Sequence, residues 1–375
     1  MIYIHIPFCK QKCTYCNFHF STSLVQKAEM LGAITREIDL RKNELDHNKN
    51  ILSIYFGGGT PSVLSANELG RIIEKINKHF SLEENAEITL EINPENINSR
   101  YIQDITDIGV NRLSIGIQSF WDPDLKITNR AHNAKQAEFS IKSVQDKGIK
   151  NVSIDIIYGF PHSDFEIWKE NLRKAVFYGV THISSYALTV EPNTALAFQI
   201  DKKIHDVASE SLQNRYFYFM VDYLQDNGFD HYEISNFGKP NFYSRHNTSY
   251  WKNLPYLGIG PAAHSYDGKK TRSWNIQNNA KYIQSIQREI LPIEREILSD
   301  TERYNEKIMT GLRTKWGVDI QEISTLFSEE IFDNFNKNMH IKLKEKQLII
   351  ENTQLKIPKE KWFFADRIAS GLFVV

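Results

Sequence analysis

The sequence predicts an α/β protein: six parallel strands alternating with helices in a closed or partly closed barrel, followed by a small helical C-terminal unit. Three observations carry this. Short β-branched and aromatic runs recur over roughly the first 190 residues, with helix-spaced amphipathic segments between them. Glycines, prolines and polar residues collect directly after those runs. From about residue 297 the pattern changes to short helices and a hairpin.

YIHI at 3–6 reads as the first strand and runs into a loop that holds every cysteine of the chain. LSIYF (52–56) leads into GGGTP (57–61), EITLEI (87–92) into Asn93-Pro94, and RLSIGI (112–117) into QSF. VSIDIIY (152–158) leads into GFP, and HISSYAL (182–188) into TVEPNT. Segments 66–80, 99–108, 134–147 and 164–177 place apolar residues at helical spacing and are long enough to cross back over a sheet. Strands joined this way lie parallel, and parallel barrels build their sites at the C-terminal strand ends, where the unusual loops fall. Six strands rather than eight leave the barrel incomplete and open to a large partner.

Beyond about residue 190 a helix near 206–226, a strand near 229–234 and an aromatic, loop-rich stretch to about 275 are expected to complete or cover the barrel. SDTERYNEKIMTGLR and VDIQEISTLF then read as helices, and QLIIENTQLKIP as a hairpin; a winged-helix-like shape fits this set. The expected units are 1–195, 196–296 and 297–375.

A chain of 375 residues has ample apolar material for its core, and 45 Lys plus Arg against 46 Asp plus Glu creates no bulk field toward nucleic acid or anionic membrane. No basic recognition helix stands out, so the winged-helix shape is not read as DNA binding. The start, MIYIHIPF, has no basic n-region or cleavage site, and no apolar run of about 18 residues occurs. A cytoplasmic protein without an intrinsic membrane segment is expected.

The 3 cysteines, Cys9, Cys13 and Cys16, fall within CKQKCTYCNF. On one helix face they would pack as inert small hydrophobes, but Pro7 and the polar residues between them favour a loop. Zinc held by the three thiols with His5 or His19 is a second reading, although structural zinc sites usually draw on two separated pairs. The third is an iron–sulfur cubane with three protein ligands and one open iron. The spacing Cys-x3-Cys-x2-Cys, followed by an aromatic-rich loop, resembles the signature of the radical S-adenosylmethionine (SAM) superfamily. That resemblance implies a 4Fe–4S cluster, SAM chelated at the open iron, and reductive cleavage of SAM to a 5′-deoxyadenosyl radical.

Gly57, Gly58 and Gly59 with Thr60 and Pro61 let backbone approach a ligand closely, or make a tight turn. Glu91 and Asp155 lie inside apolar strands, where a carboxylate is costly without a partner. Each is read either as half of a structural salt bridge or, with Gln118 and Arg130, as part of a polar set suited to an amino acid and a ribose.

YIHIPFCKQKCTYCNF, YFGGGTPS, LEINPE, RLSIGIQSF, NRAH and IDIIYGFP together resemble the oxygen-independent coproporphyrinogen III oxidase family and its relatives, the HemW-type heme chaperones. The likeness spans most of residues 1–270. It implies SAM contacts at Tyr3, Tyr15, Gly58, Gly59, Thr60, Glu91, Gln118, Arg130, Asp155 and Ala187, and cluster ligation by Cys9, Cys13 and Cys16.

Two departures separate the relatives. The oxidases carry a further cysteine where this chain has Phe18, and an N-terminal extension where this chain begins its first strand. RHNTSYW carries His246, Asn247, Tyr250 and Trp251 in the H-N-x-x-Y-W arrangement typical of the chaperones. A neutral imidazole can ligate heme iron and aromatic rings can stack on porphyrin; the bland alternative is a hydrogen-bonded histidine with packed aromatics. GIGPAAHS (258–265) resembles a loop near the family's cofactor pocket, with His264 a further candidate. The expectation is a protein that binds a 4Fe–4S cluster, SAM and heme, and hands heme to acceptor hemoproteins, with flavodoxin or ferredoxin as electron donor and no nucleic-acid partner. The alternative is a coproporphyrinogen III dehydrogenase.

Overall fold

Six strands form the centre of the molecule: β1 (Ile2–Ile6), β2 (Ile51–Gly58), β3 (Leu82–Ile92), β4 (Arg112–Gln118), β5 (Asn151–Tyr158) and β6 (His182–Ala187). The computed structural model describes residues 1–45 and 50–374; residues 46–49, in the expected first unit, and Val375, in the expected last, lie outside them. The six strands pair in parallel in the order β6-β5-β4-β3-β2-β1. Helices Ala66–His79, Ser99–Asp107, Ala134–Asp146 and Phe165–Phe177 supply crossovers. This is the partial (β/α)6 barrel that the strand–helix alternation predicts. Every residue of β4 is buried, as a parallel strand covered on both faces requires.

Local chemistry sets the helix ends. Ser65 and Glu68 form a reciprocal capping box at the start of Ala66–His79, whose Leu69, Ile72, Ile73 and Ile76 enter the core. Each such side chain contributes about 1.5–3 kcal/mol on burial. Helix Lys27–Leu40 buries Met30, Ala33, Ile34 and Ile38 at helical spacing together with the fully buried Glu37.

Both edges of the sheet extend beyond the six strands: the strand expected near 229–234 joins one edge, while two further short strands were not foreseen. β7 (Asp230–Glu233) and β8 (Asn236–Gly238) continue it antiparallel beyond β6, while β9 (Leu257–Ile259) lies parallel to β1, with Ile2 opposite Leu257 and Ile4 opposite Ile259. Among the described residues the sheet thus has nine strands. Three residues, Leu-Gly-Ile, are too few for periodicity to register; the β1 edge makes them a strand. RHNTSYW forms the short helix Arg245–Trp251, capped by Ser244, within the stretch expected to be loop-rich.

β10 (His264–Tyr266), β11 (Thr271–Asn275) and β12 (Ile293–Ile297) make a small antiparallel sheet beside β9. The C-terminal unit combines helices Asp300–Leu312, Ile320–Leu326 and Glu329–Lys344 with a sheet of β13 (Val318–Asp319), β14 (Ile349–Glu351) and β15 (Gln354–Lys356), an arrangement resembling a winged helix. The apolar core runs continuously from Ile2 to Leu372. Among the described residues, no helix is long and apolar enough to cross a membrane.

Candidate functional site

The cysteine segment is a loop, not a helix, which removes the inert-helix reading. Its base is tied at both ends: Cys9 N–H donates to Ser21 O at 3.0 Å, and Thr60 N–H donates to Phe8 O at 2.6 Å. Its tip is tied to the turn after helix Asp122–Ile127, where Thr14 N–H donates to Thr128 O at 3.2 Å and Asn129 Nδ2 donates to Lys12 O at 2.7 Å. The same turn delivers Arg130, so the thiols and this guanidinium are positioned together.

Cys9, Cys13 and Cys16 face a cavity of about 540 Å³ at the C-terminal strand ends. Tyr15, Gly58, Gly59, Thr60, Glu91, Gln118, Arg130, Asp155 and Ala187 share its wall. Tyr3 instead lines an adjoining cavity of about 720 Å³. Asn17, Phe18, Gly58 and Glu91 border both, so the two spaces abut.

Arg130 is the electrostatic pivot. Its Nη2 donates to Asn93 Oδ1 and Gly116 O, both at 2.8 Å, and its Nη1 to Cys13 Sγ at 3.4 Å. Thr60 Oγ1 donates to Cys9 Sγ at 3.4 Å. Burial pushes the Cys9 thiol up to about 11 and Cys16 in the same direction. Burying thiolates here calls for positive charge beside them, which iron supplies and a lone guanidinium only partly does.

Glu91 is pushed up to about 7, chiefly by burial, while the Tyr55 hydroxyl donates to its Oε1 at 2.8 Å. Burial also raises Asp155, which accepts from Ser114 Oγ at 3.2 Å. Neither carboxylate has an ion-pair partner among the described residues, which turns away the salt-bridge reading. Both remain open to the cavity as acceptors for amine and hydroxyl groups.

The backbone is shaped to the same end. Gly58 has φ +107° and a Cβ there would stand 2.6 Å from the His5 ring, so glycine is required on both counts. Gln118 holds φ +68°, a left-handed conformation costly for a side-chain-bearing residue, and projects into the cavity from the end of β4. Gly116, Asn93 and Ser114 also line the wall and were not among the expected site residues. A Cβ on Gly116 would meet Asn93, Gln118 and Arg130 at 3.0–3.1 Å; the available signal was a glycine inside an otherwise apolar strand.

The zinc set does not assemble. His5 Nε2 bonds His19 O at 2.9 Å, His5 Nδ1 bonds the Tyr3 hydroxyl at 3.3 Å, and His19 Nε2 bonds Asn279 Oδ1 at 2.7 Å. Among the described residues, no three His, Cys, Asp or Glu side chains gather around one ion. A donor set of three loop thiols facing a broad cavity fits a cluster.

The H-N-x-x-Y-W residues do not share one surface. His246 is 1% exposed, with Nδ1 bonded to Ser53 Oγ at 2.9 Å and Nε2 to the Tyr250 hydroxyl at 3.1 Å. Tyr250 lines the larger cavity; Asn247 lines neither cavity, and Trp251 faces a separate recess toward the C-terminal unit, under Arg313.

A Cys-x3-Cys-x2-Cys loop on the first strand of a partial parallel barrel, with a glycine-rich second loop, defines a radical SAM protein. The Radical SAM superfamily model matches residues 3–175, and the HemN C-terminal domain model matches residues 298–364. Heme chaperone HemW of Synechocystis sp. is 32% identical over 337 residues, 88% of this chain and 81% of that protein. The Lactococcus lactis heme chaperone HemW is 32% identical over 345 residues, 90% and 89% of the two chains. Coproporphyrinogen III oxidase (HemN) from Escherichia coli, a radical SAM enzyme, shares the fold with TM-score 0.85 over 100% of this chain and 89% of its own, at 19% identity. The chain belongs to the heme chaperone HemW family of the radical SAM superfamily. Membership implies a 4Fe–4S cluster and SAM.

Proposed function

We propose that this protein is a cytoplasmic heme chaperone that carries a 4Fe–4S cluster and SAM, takes up heme, and passes it to acceptor hemoproteins. The observation that carries this reading is the pair of abutting cavities, one walled by the three thiols and the other larger and walled by aromatic rings. Cys9, Cys13 and Cys16 would hold the cluster, which would supply SAM binding and electron transfer. Gly58 and Gly59 admit the amino-acid end of SAM closely; Glu91 and Asp155 accept from its amine and ribose; Arg130 offsets negative charge at Cys13. Flavodoxin or ferredoxin is the proposed electron donor.

Protein reconstituted without oxygen should bind about four irons per chain, and Cys13→Ala should lose them. Added heme should give a stable Soret-absorbing complex. Incubation with coproporphyrinogen III, SAM and reductant should leave the substrate unchanged. Decarboxylation would replace the chaperone with a dehydrogenase, and zinc in place of iron would remove both.

A further inference from the structure

We propose that His264 is the axial ligand by which heme seats in the larger cavity, with His246 acting behind the wall as a support. The proposal rests on the heme-chaperone reading and names the atom that reading leaves open.

Three histidines line the larger cavity: His5, His19 and His264. Both ring nitrogens of His5 and Nε2 of His19 are engaged, as described above. The imidazole of His264 makes no hydrogen bond among the described residues, and its side chain is exposed. Partial desolvation and the nearby Arg272 cation pull its pKa below the ordinary value, which favours the neutral ring, the form that binds iron.

Its surroundings suit a porphyrin. His264 opens β10 opposite Trp274 of β11, with ring centroids 5.8 Å apart and planes 31° from parallel. Tyr250, Tyr256 and Phe18 add apolar surface, and Phe18 is 70% exposed. Among the described residues no lysine or arginine lines the cavity, so it offers no cation to pair with the propionates. A heme held here stands beside the cluster cavity, because Asn17, Phe18, Gly58 and Glu91 border both spaces.

The position of His264 is rigid. Buried Glu37 accepts from Gly260 N–H at 2.8 Å, and Arg41 donates to Gly258 O at 2.7 Å and Ser265 Oγ at 3.0 Å, fixing the loop on both sides. His246 serves differently: its bonds to Ser53 and Tyr250 orient the Tyr250 ring toward the cavity, and ligation by His246 would break both.

Hemin is titrated onto the full chain and the Soret band followed for wild type, His264→Ala, His19→Ala and His246→Gln, with circular dichroism confirming the fold. The expected result is a shifted, weakened Soret band and about tenfold or greater loss of affinity in His264→Ala alone, with the band restored by added imidazole. A wild-type band in His264→Ala, or the main loss in folded His246→Gln or His19→Ala, overturns the assignment. If wild type itself forms no complex, the heme-chaperone reading fails and this proposal with it; a wild-type complex indifferent to His264 leaves that reading standing and sinks only the ligand.

Discussion

Replacing Glu37 with alanine tests the internal frame that holds the cavity loop. Its carboxylate is fully buried and accepts from Gly260 N–H at 2.8 Å, Asn275 Nδ2 at 2.7 Å, the Tyr282 hydroxyl at 2.5 Å and Arg41 Nη1 at 3.0 Å. Alanine leaves Arg41, 1% exposed, with Glu44 as its remaining carboxylate, and strands two further donors. Removing one partner of a buried ion pair costs about 3–5 kcal/mol. The continuous core favours unfolding as one unit; about 2.1 cal/mol/K per residue then gives an unfolding entropy of about 0.8 kcal/mol/K, and a fall in Tm of about 4–6 °C. Glu37→Gln should cost about 1–3 kcal/mol, because every partner is a donor and the amide must turn its NH2 toward one of them. Scanning calorimetry of the metal-free protein reads both. A fall below about 1 °C in Glu37→Ala would show that the network does not stabilise the fold, and the rigidity argued for the His264 loop would go with it.

Gly58→Ala should retain the fold but lose most cluster and SAM binding, since the new methyl meets the His5 ring at 2.6 Å and φ is +107°; iron content and SAM titration check this, and unchanged binding contradicts it. Arg130→Lys should retain less iron on desalting than wild type, because one ammonium cannot reproduce the fork to Asn93, Gly116 and Cys13; equal retention would remove Arg130 from the site. Asp124 is buried and pushed up to about 7 by that burial, with Ser119 Oγ donating at 2.7 Å. Its folded pKa exceeds its unfolded value, so the native state holds the extra proton between about pH 4 and 7 and this stability is lost as pH rises through 7. Asp124→Asn should therefore gain Tm relative to wild type between pH 5 and 8, and a constant difference across that range would refute the assignment.

The cluster loop was legible because its chemistry is local: three thiols at fixed spacing cannot be mistaken for core packing once Pro7 and the intervening polar residues exclude a helix. The strand ends that line the cavity were legible for a related reason, since glycine runs and carboxylates violate the pattern of a buried strand. H-N-x-x-Y-W was less legible in its tertiary placement. Its spacing places His246 and Tyr250 one helical turn apart, so they bond to each other, while Trp251 turns away. Gly116 and Asn93 lie in motifs the sequence displays, but their individual roles depend on where Arg130 lands.

Covalent spacing and strand periodicity by themselves determined the parallel barrel, the end at which its cavity opens, and the thiols that face it. Tertiary packing alone decided that a three-residue strand closes against β1 and that a buried glutamate pins the loop behind it. It also decided which of the three histidines of the larger cavity makes no hydrogen bond among the described residues. The reason is physical: hydrogen bonds between residues some 200 positions apart, such as Ser53 to His246 and Glu37 to Gly260, commit or release a side chain without leaving any local pattern.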